Sequence, residues 1–294
     1  MSNMIKDILL NDGTTIPELG YGVYLVSDRK QCRELVLETF KEGYRHIDTA
    51  QCYLNERAVG DAIKLCGIPR EELYITTKIW ICDYGYEKAK QAIEDSLRRL
   101  GVEYIDLMLL HQRYRDYIGA WKALEEAQRE GKIKSIGVSN FRIEELKDLM
   151  DHTDVIPCVN QIECHPYYQR EELKEFMKQY NIKTEAWYPL GHGDKKLLKE
   201  PVFVELGKKY NKTPAQIILR WHLQCDHIVF PNTKKVNHIK ENLDIYDFVL
   251  TEEEMQRIKK LDKKRSYLPL PEFLLKLVYL NMEKVTYRKK EDFD

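Results

Sequence analysis

Eight short apolar or β-branched runs recur along this chain, most of them followed by a polar turn and a longer stretch of helical period. They occupy residues 19–24, 44–48, 73–78, 104–111, 133–140, 156–161, 182–187 and 228–231. Helical spacing marks 29–41, 86–100, 116–130, 143–150 and 170–179 between them. Within the third of these, Ile118, Trp121, Leu124 and their neighbours fall three and four apart, as on a helix that packs one face. Eight units in 294 residues leave about 37 residues each, and a (β/α)8 barrel typically takes about 250 residues. The reading is therefore an α/β chain whose parallel sheet closes into one barrel domain over 1–294, with no linker to divide it. An open doubly wound sheet is disfavoured, since no GxGxxG follows the first run.

The surplus length sits at the ends. Ile8-Leu9-Leu10 and Thr15-Ile16-Pro17 flank Asn11-Asp12-Gly13-Thr14, which predicts an N-terminal β-hairpin. A C-terminal extension runs past Lys260 through Pro269 and Pro271 to Arg288-Lys289-Lys290-Glu291-Asp292. Lys plus Arg number 47 against 48 for Asp plus Glu, so no charge excess favours nucleic acid. No apolar run reaches the roughly 18 residues of a membrane span, and the first ten residues do not read as a secretory leader. Seven cysteines without a CxxC pair imply reduced thiols and a cytoplasmic setting. Cys164, His46 and His165 lack the spacing of a zinc site, so no metal is expected.

In such barrels the chemistry lies at the C-terminal ends of the strands. Those ends carry Asp48, Lys78, His111, Ser139-Asn140, Gln161 and Trp187, and the loop after Asp48 carries Tyr53. Asp48 with Lys78 alone reads equally well as a structural ion pair, and a lone His111 as a satisfied strand-end histidine. An acid, a base and an imidazole on three successive ends, with a tyrosine beside them, point instead to proton transfer. A retained ammonium at Lys78 is expected to lower the Tyr53 phenol from its usual value of about 10. Tyr53 then protonates a carbonyl oxygen while a neutral His111 orients it. The hydride must come from a cofactor, since no side chain delivers one. Cys52 is expected to line the pocket, and Trp121 and Trp221 to be core.

The segments around these residues resemble the aldo-keto reductase family over nearly the whole chain. Gly43-Tyr44-Arg45-His46-Ile47-Asp48-Thr49-Ala50-Gln51-Cys52-Tyr53-Leu54-Asn55-Glu56 matches its Asp–Tyr signature. Leu97-Arg98-Arg99-Leu100-Gly101 with Tyr104-Ile105-Asp106-Leu107 and His111 matches the histidine segment, and Gly137-Val138-Ser139-Asn140-Phe141 the loop that meets the nicotinamide. The resemblance implies a tetrad of Asp48, Tyr53, Lys78 and His111 in an NAD(P)H-dependent reductase of aldehydes and ketones, working as a monomer on a small-molecule carbonyl. Its rival is a non-catalytic nicotinamide-binding barrel of the kind that associates with potassium channels.

The cofactor residues it implies are Ser139, Asn140 and Gln161 at the carboxamide, with Gly22, Val23 and Asp48 near the nicotinamide ribose. Trp187 takes the stacking position in Ala186-Trp187-Tyr188-Pro189-Leu190-Gly191, and Tyr188 replaces a serine beside the pyrophosphate. Pro189 and Leu190 complete that wall. At the adenosine end the family commonly has Ile-Pro-Lys-Ser and a later Arg, both cations gripping the 2′-phosphate of NADPH. Here Phe230-Pro231-Asn232-Thr233 stands, with His238 at the Arg position, while Glu241 and Asn242 match adenine contacts. Two missing cations imply dual cofactor use or a lean to NADH. Tyr24 and Trp80 match aromatics around the carbonyl. Gln112 replaces a frequent Trp, which implies a more polar and open cup on that side. The tail residues Phe273, Leu274, Leu275, Leu277, Val278 and Tyr279 are expected to fold over the rim.

Overall fold

A computed structural model describes residues 5–268 and 270–282. Pro269 and the charged end 288–292 lie outside the described residues. A two-stranded antiparallel hairpin, β1 (Asp7–Leu9) and β2 (Thr15–Pro17), precedes the barrel. Eight parallel strands follow: β3 (Tyr21–Gly22), β4 (His46–Asp48), β5 (Tyr74–Ile79), β6 (Ile105–Leu110), β7 (Ile133–Ser139), β8 (Val159–Glu163), β9 (Lys183–Trp187) and β10 (Ile228–Val229). Each strand pairs with its sequence neighbours from β3 to β10. The ring closes where Gly20 N donates to Val229 O and Val229 N to Glu18 O, at 2.8 and 2.9 Å. Gly22 lies at this seam. A Cβ there would stand 2.8 Å from Phe230 O, so only glycine permits the approach.

The helices are α1 (Arg29–Lys41), α2 (Glu56–Leu65), α3 (Tyr86–Leu100), α4 (Tyr117–Arg129), α5 (Ile143–His152) and α6 (Glu171–Lys178). They continue with α7 (Pro201–Tyr210), α8 (Pro214–Gln224), α9 (Val236–Leu243), α10 (Glu252–Lys259) and α11 (Glu272–Leu280). Local chemistry sets many of their ends. Asp28 accepts from Gln31 N to start α1, and Gly101 at φ 64° ends α3. Thr213 and Gln216 form a capping box around Pro214 at the start of α8. The spaced apolar face of α4 is buried at Ala120, Trp121, Leu124 and Ala127, and Trp221 is core as well.

The hairpin decides which end of the barrel is open. Ile16 is fully buried and clusters with Tyr74, Leu107, Leu109, Val159 and Ile228 inside the strands. Thr14 Oγ1 lies 2.8 Å from Ser135 Oγ, and Asn11 donates to Pro157 O. The N-terminal mouth is thus plugged, which leaves the opposite mouth for chemistry. No helix among the described residues is long and apolar enough to cross a membrane.

Several boundaries differ from the sequence reading. The run placed at 156–161 becomes β8 at Val159–Glu163, since Pro157 has no N–H to give a ladder. The first and last runs shorten to two residues each, because closure of the ring is made by bridges beyond the strands proper.

Candidate active site

Tyr53 ends a 3-10 turn (Gln51–Tyr53) that leaves β4 at Asp48, and Leu54 closes it at φ 58°. Two buried amides hold this turn. Gln51 accepts from Trp80 N at 2.9 Å and donates to Asp83 at 2.6 Å. Asn55 donates to the carbonyls of Val23 and Val26 and accepts from Thr49 Oγ1. Lys78 stands one residue before the end of β5, and His111 immediately follows β6. The four side chains therefore reach one rim from adjacent strands. The Tyr53 ring lies 5.7 Å from the His111 ring, and Lys78 Nζ is 5.0 Å from the Tyr53 centroid.

Lys78 is fully buried and donates to both Asp48 oxygens and to Thr49 O, all at 2.8 Å. Burial pushes the Asp48 carboxyl upward, against the pull of Lys78 and Gln161. The expected lowering of the Tyr53 phenol is not met. Desolvation, then the Asp48 charge, hold it well above 10. The reason is visible in the geometry: all three ammonium protons are taken by Asp48 and Thr49. His111 is pushed well below its ordinary value by burial and then by Lys78, so it is neutral as expected. Its Nδ1 lies 3.5 Å from Cys52 Sγ. Burial raises the Cys52 thiol to about 12, so the sulfur keeps its proton at neutral pH. The cysteine beside Tyr53 thus touches the imidazole, a contact that sequence alone did not assign.

The residues matched to the nicotinamide carboxamide form one cluster. Gln161 Nε2 donates to Asp48 Oδ2 and to Glu185 Oε2, both at 2.9 Å. Its two amide protons are thereby used, and its Oε1 has no hydrogen-bond partner among the described residues. Ser139 Oγ donates to Gln161 O. Asn140, at φ 63°, donates to His111 O and Ser139 Oγ and accepts from Trp187 Nε1 at 2.9 Å. That last bond fixes the plane of the half-buried indole. Glu185, in the middle of β9, was missed at the sequence level. It is fully buried, and desolvation and the nearby Asp48 push its carboxyl up to about 8. A glutamate at an inward-alternating position of the run 182–187, beside Ala186 and Trp187, was the available signal.

Tyr188 adopts φ 52° and packs against Trp187 and His192. Burial, with Tyr24 nearby, pushes its phenol up to about 12. Pro189 O is 3.2 Å from His222 Nε2, and Leu190 packs on the core. Val23 is fully buried, and Gly22 lies against Phe230 at the barrel seam. At the expected adenosine end, the Asn232 amide donates to Tyr24 O, and Thr233 Oγ1 lies 3.3 Å from His238 Nδ1. Lys234, Lys235 and His238 are exposed. Asn242 is buried and Glu241 partly so at the end of α9.

Around the cup, the rings of Tyr24 and Tyr53 are 5.0 Å apart, and those of Trp80 and His111 4.9 Å. The open side expected at Gln112 is not found. Gln112 is buried, with its backbone held by Tyr84, and the tail lies over the adjoining loop. Tyr279 stacks on Tyr114 at 5.0 Å and meets the Trp80 edge at 6.0 Å. Arg115 donates to the carbonyls of Tyr279 and Leu280. Of the tail side chains expected to close the rim, Tyr279, Leu274 and Leu275 are half-buried, while Phe273, Leu277 and Val278 point to solvent. Arg113 ties the parts together, donating to Asn140 O and to Glu272.

The geometry agrees with comparisons to known proteins. A model of the Aldo/keto reductase family matches residues 18–263. A 9,11-endoperoxide prostaglandin H2 reductase of Trypanosoma cruzi is 44% identical over 258 residues, 87% of this chain and 91% of that protein. Glyoxal reductase of Bacillus subtilis is 43% identical over 277 residues, 94% of this chain and all of that one. The crystal structure of a Bombyx mori aldo-keto reductase in complex with NADP superposes with TM-score 0.85 at 31% identity, covering 89% of this chain and 94% of that chain.

Proposed function

The chain belongs to the aldo/keto reductase family of carbonyl-reducing oxidoreductases, and from that premise we propose that it reduces small aldehydes, α-dicarbonyls such as glyoxal among them, with a reduced nicotinamide dinucleotide. The observation that carries this reading is the meeting of Tyr53, His111 and the Lys78–Asp48 pair at the open rim. Bound beside these strand ends, the nicotinamide would supply the hydride. The fit to that group rests on the free Gln161 Oε1, which is an acceptor for the carboxamide NH2, and on an indole held in plane by Asn140. Asn140, whose amide donates to His111 O and Ser139 Oγ, would hold the carboxamide oxygen by giving up one of those two bonds. The Trp187 face would stack on the ring.

Tyr53 donates its proton to the substrate oxygen as negative charge develops there, and the Lys78 ammonium, 5.0 Å from its ring centroid, limits the cost that desolvation and Asp48 impose on the phenolate left behind. The Cys52 S–H donates to His111 Nδ1. That places the imidazole proton on Nε2, where it can hold the carbonyl in line with the phenol. A protonated phenol at neutral pH suits the direction of reduction.

At the adenosine end an amide and an imidazole stand where two fixed cations would grip a 2′-phosphate. Charge-assisted contacts of that kind contribute about 1.5–3 kcal/mol each. We therefore assign relaxed cofactor use. Following nicotinamide absorbance with glyoxal and each cofactor tests both statements: comparable kcat/KM values support relaxed use, and a hundredfold NADPH preference overturns it. Absence of turnover with either cofactor across a panel of small aldehydes would return the chain to the non-catalytic reading.

A further inference from the structure

Behind the segment that carries Trp187 and Pro189 lies a second cluster of chemically capable side chains. Cys164 follows β8, His222 lies in the last turn of α8, and His227 precedes β10. All three are buried, at 0%, 0% and 2% exposure. His222 Nδ1 and His227 Nδ1 are 3.0 Å apart, and Cys164 Sγ is 4.0 Å from His227 Nδ1. One donor atom from each residue falls within 4.8 Å of the other two. We propose that Cys164, His222 and His227 bind one thiophilic divalent transition-metal ion, of the Zn(II) type, in a three-ligand site whose fourth position is left to water.

The spacing fits that chemistry. Zinc–sulfur bonds of about 2.3 Å and zinc–nitrogen bonds of about 2.0–2.1 Å put the ligand atoms around one ion roughly 3.3–3.8 Å apart. The two His227 sides, at 3.0 and 4.0 Å, lie within about half an ångström of that triangle, and the third donor pair lies within 4.8 Å. The orientation of His222 fits as well. Its Nε2 donates to Pro189 O at 3.2 Å, which leaves the Nδ1 lone pair aimed at the cluster. A metal-binding imidazole is ordinarily oriented in this way, by a carbonyl on its other nitrogen.

The metal-free cluster closes on itself. His227 Nδ1–H donates to His222 Nδ1, and Lys174 donates to His227 Nε2 at 3.4 Å. Metal binding breaks the Cys164 S–H bond and forms a metal–sulfur bond, with the proton released to water and no change of oxidation state. His227 exchanges its proton from Nδ1 to Nε2 through solvent. Lys174 turns fully to Glu171, which it already meets at 2.5 Å and which offsets its charge. The sequence reading set Cys164 beside His46 and His165 and found no zinc spacing. The partners come instead from elements more than fifty residues away, so no local motif exists to be read.

Cobalt(II) titration of the reduced, chelator-treated protein is the test. The proposal predicts one equivalent bound, a thiolate-to-cobalt charge-transfer band in the near ultraviolet, and displacement by zinc(II). The band is lost in Cys164→Ser, and affinity falls at least about tenfold in His227→Gln, which retains the sulfur and a hydrogen bond to His222. Circular dichroism of each variant in chelator verifies folding. If Cys164→Ser does not fold, the His227→Gln titration decides. Failure of the wild-type protein to develop the band at one equivalent overturns the proposal, as does a band of unchanged affinity in either variant. In those outcomes the three side chains form a hydrogen-bonded strut and nothing more.

Discussion

At the scale of single residues, the interior of the barrel mouth is an exercise in satisfying buried charge. Lys78 and Asp48 are both out of water, and each is hydrogen-bonded around its head group. Removing one partner strands the other. Lys78→Met is predicted to cost about 3–5 kcal/mol in denaturant unfolding, since Asp48 would remain without its counter-ion. Glu185 presents the opposite case. Its carboxyl is raised from an ordinary 4.5 to about 8 by desolvation, so the folded chain holds a proton there that the unfolded chain has lost. Stability from this group is full below about pH 4.5 and is lost as pH rises toward 8. The slope is at most about 1.4 kcal/mol per pH unit. Thermal unfolding from pH 5 to 8 checks this: Glu185→Gln flattens the decline, and an unchanged pH dependence contradicts the assignment.

At the scale of elements, several contacts tie the tail to the site, and Arg113 is the side chain that joins it to the loop bearing Asn140. Arg113, on the loop after β6, donates to the carbonyl of Asn140 and to Glu272 at the start of α11, and pairs at 3.7 Å with Glu145. Release of this clamp frees α11, which has no fully buried residue of its own, and loosens the loop that bears Asn140. Arg113→Ala is predicted to raise KM for carbonyl and cofactor severalfold, with faster proteolysis within 270–282. The barrel should unfold at nearly the same denaturant midpoint. A variant with wild-type KM values and a protected tail would separate the two elements. The tail's place over the rim was expected from the family resemblance. Which faces it turns inward was not legible, because a nine-residue helix with apolar side chains on nearly every face carries no directional signal.

At the scale of the whole molecule, alternation of strand and helix dictates a closed barrel, and closure brings distant residues to one rim. That much was readable: α1 and α3 fall at the residues their spacing predicts, and the strand ends nominate Asp48, Lys78 and His111. The plug formed by Ile16 was not readable, because burial there depends on side chains of β5, β6, β8 and β10. The protonation of Tyr53 was misjudged for a related reason. Sequence showed a cation nearby, but only the assembled barrel shows that its protons are spent and that desolvation prevails. Reduction is accordingly predicted to show no descending limb from Tyr53 below pH 10. The most direct measurement is the glyoxal reduction rate of Tyr53→Phe, with cofactor affinity followed separately by fluorescence. A fall in kcat of about 10²–10⁴ with cofactor binding retained is the predicted result. Turnover at the wild-type rate would contradict the role given to this phenol.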